Sequence, residues 1–253
     1  MVRYKLILAY DGSRYAGFQR QKNQRSVQVE LEQALRQLGW QGHSVLAAGR
    51  TDAGVHASGQ VVSFDLDWQH TDHDLQRALN ANLPEDLAVQ QVEQSTPGFH
   101  PRYDALARCY TYRIVTAPVR QPLLERYAWR VWPAPDLDRM HSASQTLVGV
   151  HDFKAFGAPH RTGGSTIREI FRAGWQQDAA ELVFEVVGNA FLYHMVRRML
   201  SLLVAVGQGK EELEQVQKYL HGEQIPAVTG LAPAAGLCLT RVIYRKADLP
   251  DKN

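Results

Sequence analysis

The 253 residues, 45% hydrophobic and 21% charged, have the composition of an ordinary soluble globule, long enough for one large domain or two small ones. No apolar run can span a bilayer, since the longest candidate, Met195 to Val206, contains Arg197 and Arg198; the two cysteines, Cys109 and Cys238, stand in no metal-binding spacing and do not suggest a disulfide framework. A net charge of +2 is weak evidence for a polyanionic partner, and the distribution of charge says more than its sum.

The opening Met1-Val2-Arg3-Tyr4-Lys5 leads into alternation and not into an apolar h-region, so no signal peptide is expected and a reducing cytoplasm fits the chain. Residues 3–10 alternate, with Tyr4, Leu6, Leu8 and Tyr10 on one face, and read as a strand. Ser26 can cap a helix whose apolar face is Val27, Leu31, Ala34, Leu35 and Leu38, ended by Gly39. Two strands follow, around 44–48 and 59–65. Thr71-x-x-Asp74 has the form of a capping box for a helix through Leu75, Ala78 and Leu79 that ends before Pro84. A strand around 87–93 completes a β-α-β-β-α-β order, the split βαβ pattern.

The second half repeats that order. Leu106 to Val115 alternates, with Leu106, Arg108, Tyr110, Tyr112 and Ile114 on one face, and an added strand lies near 126–132. Asp136 starts a helix with Leu137, Met140, Leu147 and Val148 inside, ended by Gly149. Strands near 167–176 and 181–188 form a hairpin with Asp178 in its turn; helices over 192–206 and 210–221 follow, then a strand through Leu237, Leu239 and Val242. The expected fold is α+β: two pseudo-repeated β-α-β-β-α-β halves, residues 1–103 and 104–253, with mostly antiparallel sheets flanked by helices and a central active-site cleft. The segment 94–105 is the connector, and the tail after Arg245 is expected to fray.

Gly49-Arg50-Thr51-Asp52-Ala53-Gly54-Val55-His56-Ala57 is the most informative run. It puts one carboxylate, Asp52, in a turn between two glycines and two strands, with an arginine two residues before it and a histidine four after. A carboxylate beside a guanidinium stays ionised at neutral pH and is available as a nucleophile or a base; the same Asp can equally do no more than brace a tight turn. His56 is open to the same two readings, as a base or as a support for the loop.

Two segments concentrate basic residues without acids. Residues 12–25 carry Arg14, Arg20, Lys22 and Arg25, interleaved with Tyr15 and Phe18; residues 153–168 carry Lys154, His160, Arg161 and Arg168. Either alone reads as a solvated loop as readily as a phosphate-binding one, and together they favour nucleic acid. His141, His151 and His160 with Asp152 match no metal-site spacing. There is no Gly-x-x-x-x-Gly-Lys-Ser/Thr, Gly-x-Gly-x-x-Gly or Gly-x-Ser-x-Gly motif, so nucleotide-triphosphate, dinucleotide and α/β-hydrolase sites lack support. In Phe191-Leu192-Tyr193-His194-Met195-Val196-Arg197-Arg198, helical spacing places Tyr193, Arg197 and Leu200 on one face, which either offers an inward arginine to a buried acid or leaves two arginines solvated. Tyr110 is either plain core or a stacking platform.

These runs together resemble the tRNA pseudouridine synthases that act on positions 38, 39 and 40 of the anticodon arm. The resemblance extends from Tyr4 to about Tyr244. It rests on Tyr10-Asp11-Gly12-Ser13 with Gly17-Phe18-Gln19-Arg20-Gln21, the run around Asp52, Arg108-x-Tyr110-x-Tyr112, Asn189-Ala190-Phe191-Leu192-Tyr193-His194-Met195-Val196-Arg197, and Ala232-Pro233-Ala234-Ala235-Gly236-Leu237, in that order. It implies an isomerase with Asp52 as the catalytic aspartate and nucleophile. It implies that Tyr110 stacks on the target uracil, that Arg197 pairs with the catalytic Asp, and that Arg50 helps displace the target base. Arg14, Arg20, Lys22, Arg25, Arg161 and Arg168 are then the candidates for RNA contact. It also implies a homodimer that binds the tRNA anticodon arm, with no metal, no organic cofactor and no membrane. Phe18 stands where the family usually has tryptophan, Arg198 where asparagine is expected, and Ala234 where a second proline is usual; none of these removes a catalytic group.

Two other readings stay open. A non-catalytic RNA-binding protein of the same fold would keep RNA affinity without Asp52. A hydrolase acting on a glycosidic bond would need a second carboxylate as general acid, for which Asp11 or Asp65 would have to approach Asp52.

Overall fold

A computed structural model describes residues 1–159, 161–178, 181–221 and 226–250. The chain divides into two units, Met1–Leu106 with Cys238–Tyr244, and Ala107–Leu237 with Arg245–Asn253. The fold is mixed α+β with mostly antiparallel strands, as the alternation indicates.

The first unit is built on β1 (Val2–Tyr10), which buries Tyr4, Leu6, Leu8 and Tyr10 on one face. β1 pairs antiparallel with β3 (His56–Leu66), from Val2 opposite Leu66 to Tyr10 opposite Ala57, and on its other side with β4 (Leu87–Gln94). The strand expected over 44–48 is shorter: only Leu46–Ala47, β2, pairs with β3, opposite Ser63 and Val62. Helix α1 (Val27–Gln37) has Ser26 as its N-cap and buries Val27, Leu31, Ala34 and Leu35. Gly39 follows its end at φ +88°, the left-handed region that glycine enters without strain. Helix α2 (Asp72–Asn82) opens with the expected capping box, in which the Asp74 N–H donates to the Thr71 hydroxyl oxygen while the Asp74 carboxylate accepts from the Thr71 N–H. α2 is tied to β4 by Asn80, whose amide nitrogen donates to the Val89 carbonyl at 2.9 Å and whose amide oxygen accepts from the Val89 N–H at 2.8 Å. That satisfies main-chain groups of β4 that β1 does not reach.

The second unit is built on β5 (Ala107–Thr116), β9 (Glu181–Gly188), β8 (Ile167–Asp178) and β7 (Gly149–Asp152), each antiparallel to the next. β6 (Trp129–Val131) pairs parallel with the end of β5. Helix α3 (Leu137–Gln145) is capped by Asp136 and buries Met140 and Ala143; the Gln145 amide donates to the Ala173 carbonyl on β8 at 2.7 Å. Helix α4 (Met195–Gly207) is largely buried, and α5 (Leu213–His221) buries Val216, Tyr219 and Leu220.

Four elements differ from the periodicity reading. Gly149 ends no helix; at φ +110° it opens β7, a strand too short to carry a pattern of its own. β5 is buried on both faces, since Ala107, Cys109 and Val115 are as inaccessible as Tyr112 and Ile114, which a simple alternation does not reveal. Asp178 belongs to β8, opposite Glu181, and not to the turn. Helix α4 begins at Met195 and not at 192: His194 adopts a left-handed conformation at φ +64°, while the Tyr193 N–H donates to the Ala158 carbonyl at 3.0 Å. Tyr193 therefore lies outside the helix and shares no helical face with Arg197.

The strand through Leu237, Leu239 and Val242 is present as β10 (Leu237–Ile243), but from Cys238 it packs in the first unit. There it runs parallel to β3, Cys238 opposite His56 and Leu239 opposite Ala57. The C-terminal strand thus supports the residues that immediately follow the Asp52 turn.

Candidate active site

Asp52 sits in the turn between β2 and β3, half-buried, with the Val55 N–H donating to its main-chain carbonyl at 3.2 Å. Arg50 is exposed two residues earlier. The turn is held from outside by residues 10–18. The Phe18 N–H donates to the Thr51 carbonyl at 3.1 Å and the Gly54 N–H to the Tyr15 carbonyl at 3.2 Å, so the two loops are joined on either side of Asp52. The Tyr10 hydroxyl and the Thr51 hydroxyl are 2.8 Å apart and buried.

Glycine is required on the 10–18 side. A Cβ on Gly12 would lie 2.1 Å from the Val55 carbonyl oxygen, so the backbones are in direct contact there. Gly17 combines φ +101° with a Cβ position 2.7 Å from the Thr51 carbonyl oxygen. The clamp is also fixed to α1, whose first amides, Val27 and Gln28, donate to the carbonyls of Gly17 and Phe18 at 3.3 and 2.9 Å.

His56 completes the clamp. It is buried, and its Nδ1 accepts from the Gly12 N–H at 3.0 Å, with an Asp11 carboxylate oxygen 3.2 Å from the same atom. That oxygen already accepts from the Ser13 N–H at 3.0 Å and the Ser13 hydroxyl at 2.6 Å. Of the two readings of His56, these contacts are those of a support for the loop.

Beneath the loop, Tyr15 is buried and its hydroxyl donates to Asp86 at 2.6 Å. Arg25 grips the same carboxylate with two bonds of 2.7 and 2.9 Å, donates to Glu30 at 2.8 Å, and lies 4.3 Å from the Tyr15 ring centre. Its hydrogen bonds hold the Asp86 carboxyl below its usual range, and burial with the Asp86 bond pushes the Tyr15 phenol up. Tyr15 and Arg25 stood out in the sequence among the basic residues of 12–25, but Asp86, which joins them, did not, because it lies 71 and 61 residues away from them.

The second unit carries Tyr110 and Arg197. Tyr110 lies mid-way along β5 opposite Val186, half-buried, its ring edge-on to Phe191 at 5.2 Å. Arg197 is in the first turn of α4, and its Nε donates to the Ala232 carbonyl at 2.7 Å while the Ala232 N–H donates back to the Arg197 carbonyl at 3.2 Å. Ala232 therefore holds this side chain through Nε. The neighbouring Tyr112 is fully buried and donates to the Pro233 carbonyl at 2.8 Å; burial pushes its phenol up, against the pull of the Arg197 charge. Arg198, the unexpected residue of this run, donates to the Phe156 carbonyl at 3.2 Å.

The RNA-contact candidates differ in what they already hold. Arg14, Lys22 and Arg161 are exposed. Arg20 is tied to Glu32, and Arg25 to Asp86 and Glu30. Arg168 donates to the carbonyls of Ser165 and Ile167 at 2.9 and 2.6 Å, and burial pushes its guanidinium down. His160 lies outside the described residues.

Among the described residues no group of three or more His, Cys, Asp and Glu is gathered as for a metal ion. His151 meets the Val148 carbonyl through Nε2 at 2.9 Å, and Asp152 accepts from the Lys154 N–H at 3.1 Å. Of the carboxylates a hydrolase would need, Asp65 is gripped by Arg3 through two bonds of 2.7 Å, which hold it below its usual range. It also sits nine strand positions beyond His56 on β3, about 30 Å at the rise of a strand. An acid held ionised at that distance cannot protonate a leaving group beside Asp52. Among the described residues no helix is long and apolar enough to cross a membrane.

The tRNA pseudouridine synthase family matches residues 6–104 and 143–245, which include Arg50, Asp52 and Arg197. Tyr110 falls in the interval between the two matches, but alignments with whole relatives extend across nearly the entire chain. The chain is 40% identical over 249 residues to a protein named tRNA pseudouridine synthase A from Limosilactobacillus fermentum, covering 96% of each. It is 40% identical over 245 residues to one of that name from Geobacter sp. strain M21, covering 96% of this chain and 99% of the relative. A third, from Syntrophotalea carbinolica, is 41% identical over 245 residues, covering 96% and 97%. With matches of this length on both sides of the Asp52 turn and the Arg197 helix, the chain belongs to the tRNA pseudouridine synthase family.

Proposed function

We propose that this protein converts uridine to pseudouridine at positions 38, 39 and 40 of the tRNA anticodon arm, with Asp52 as the nucleophile. The observation that carries the reading is the clamp on the Asp52 turn, in which a second loop, two glycines and a buried histidine hold the main chain that bears one half-buried carboxylate. Positioning of this kind is what a covalent catalyst needs and what a turn-bracing Asp does not. The N-terminal half, 1–103, supplies the Asp loop, and the C-terminal half, 104–253, supplies Tyr110 and the Arg197 helix.

The reaction breaks the N1–C1′ bond of the nucleotide, turns the uracil, and joins C5 to C1′; the hydrogen at C5 leaves to solvent and N1 gains one. A base within a stem has to leave the stack first. Arg50, exposed beside the turn, is proposed to help displace the target base, Tyr110 to hold the detached uracil by its face, and Arg197 to pair with the carboxylate. Arg14, Arg20, Lys22, Arg25, Arg161 and Arg168 are proposed to meet the RNA backbone, by shape and phosphate contact. A homodimer and a cytoplasmic location are proposed with this activity on the resemblance.

The test is tritium release from tRNA labelled at uracil C5, for the wild type and for Asp52→Asn. The expected result is release by the wild type and a loss of at least about a thousandfold in the variant, with tRNA binding retained. A wild type that binds the anticodon arm and releases no tritium would leave an RNA-binding protein of the same fold as the better account.

A further inference from the structure

Glu32 on α1 is 1% exposed, a rare position for a carboxylate unless it is paired. Its Oε1 accepts from the Gln28 amide at 2.9 Å and from the Val45 N–H at 3.1 Å. Its Oε2 accepts from the Arg20 guanidinium and lies 3.8 Å from that of Arg36. One buried anion thus holds two guanidiniums side by side, each 47% exposed. Both bonds of the Arg20 guanidinium, to Glu32 and to the His43 carbonyl at 3.1 Å, run through a single terminal nitrogen, so its other N–H groups have no protein partner among the described residues. Arg36 makes no hydrogen bond through its guanidinium among the described residues and lies 5.7 Å from the Trp40 ring centre.

Both guanidiniums line a cavity of about 440 Å³ with Trp40, Gln41, Gly42 and His43. Two cations face one anion, and the anion is the member withdrawn from solvent, so the cavity presents net positive charge. Planar guanidiniums with spare N–H groups suit the oxygens of a phosphate, and their common anchor removes much of the entropy cost of ordering two long side chains.

We propose that this cavity is a subsite for one phosphodiester of the RNA backbone, formed by Arg20 and Arg36 over Trp40. The proposal rests on the tRNA reading above and extends it to Arg36 and Trp40, which belong to none of the runs that mark the family in this sequence.

The experiment measures the tRNA dissociation constant across a chloride series for the wild type, Arg36→Gln, Arg36→Lys and, as a control for general charge, Arg77→Gln on the exposed face of α2. Arg36 is half exposed, so its variants are expected to fold. Arg36→Gln should weaken binding several-fold and reduce the slope of log K against log salt by about one, Arg36→Lys should restore most of the slope, and Arg77→Gln should leave it as in the wild type. Equal slopes for wild type and Arg36→Gln, or an equal loss in Arg77→Gln, would overturn the proposal. Free inorganic phosphate is the other source of the same chemistry. If it changes tryptophan emission in the wild type but not in Arg36→Gln while the two tRNA slopes agree, the cavity takes a free anion and the RNA assignment is overturned. No turnover is measured, so failure of the isomerase reading in the tritium assay stays distinct from failure of this one.

Discussion

At the scale of single residues, the candidate site depends on buried polar groups that find each other across loops. His56 is the clearest case, because its Nδ1 is the acceptor for the buried Gly12 N–H, where the Gly12 and Val55 backbones are in direct contact. His56→Ala should lower unfolding stability by roughly 1–3 kcal/mol, the usual cost of stranding a buried donor. His56→Asn, whose side-chain oxygen can occupy the place of Nδ1, should recover more than half of that loss in urea unfolding. Equal losses in both variants would show that ring packing, and not the hydrogen bond, is what His56 supplies. Asp52 was legible in the sequence because its neighbours Arg50, Gly54 and His56 are adjacent in the chain. The acceptor role of His56 toward Gly12 was not, because its partner is 44 residues away.

At the scale of elements, local chemistry decides most boundaries. Ser26, Thr71 and Asp136 each accept a main-chain hydrogen bond at the helix start that the sequence assigns to them. Gly39 is the matching stop signal of α1, and no atom lies within 4 Å of where its Cβ would be. Gly39→Ala should therefore cost about 1 kcal/mol through backbone conformation alone, and Gly39→Asn clearly less, since asparagine tolerates the left-handed region. Thermal unfolding of the two variants checks this, and a neutral alanine would mean that the α1 terminus relaxes freely. The start of α4 escaped the same logic. The apolar pattern runs unbroken through Phe191 and Leu192, but the bridge from Tyr193 to Ala158 holds that stretch extended and the left-handed His194 starts the helix at Met195. Tertiary pairing there outweighs helical spacing.

At the scale of the whole molecule, stability in acid should report on carboxylates held by arginines. Hydrogen bonds from Arg25 lower the Asp86 carboxyl and those from Arg3 lower Asp65. For a carboxyl lowered in the folded state, the stabilisation is complete above its unfolded value of about 3.9 and is lost as pH falls through the folded value. Unfolding free energy should thus be flat above about pH 5 and fall below pH 4. Asp86→Asn should lower the neutral plateau and flatten part of the acid slope. An acid slope identical to that of the wild type would mean that the Arg25–Asp86 contact does not persist in solution.

Read by itself, the sequence determined most of the elements and their order, the caps of α1, α2 and α3, the buried face of β1 and the catalytic candidate. All of these depend on residues within a turn or two of one another, where the periods of helix and strand and the chemistry of capping act. Tertiary structure alone decided which strands pair beyond the β8–β9 hairpin, that β10 returns to lie parallel to β3, that Gly12 and Gly17 receive the backbone of the Asp52 turn, and that Glu32 sets Arg20 beside Arg36. Those are contacts between residues far apart in the chain, chosen by what each surface must bury and which polar groups it must satisfy, and no local pattern encodes the partner.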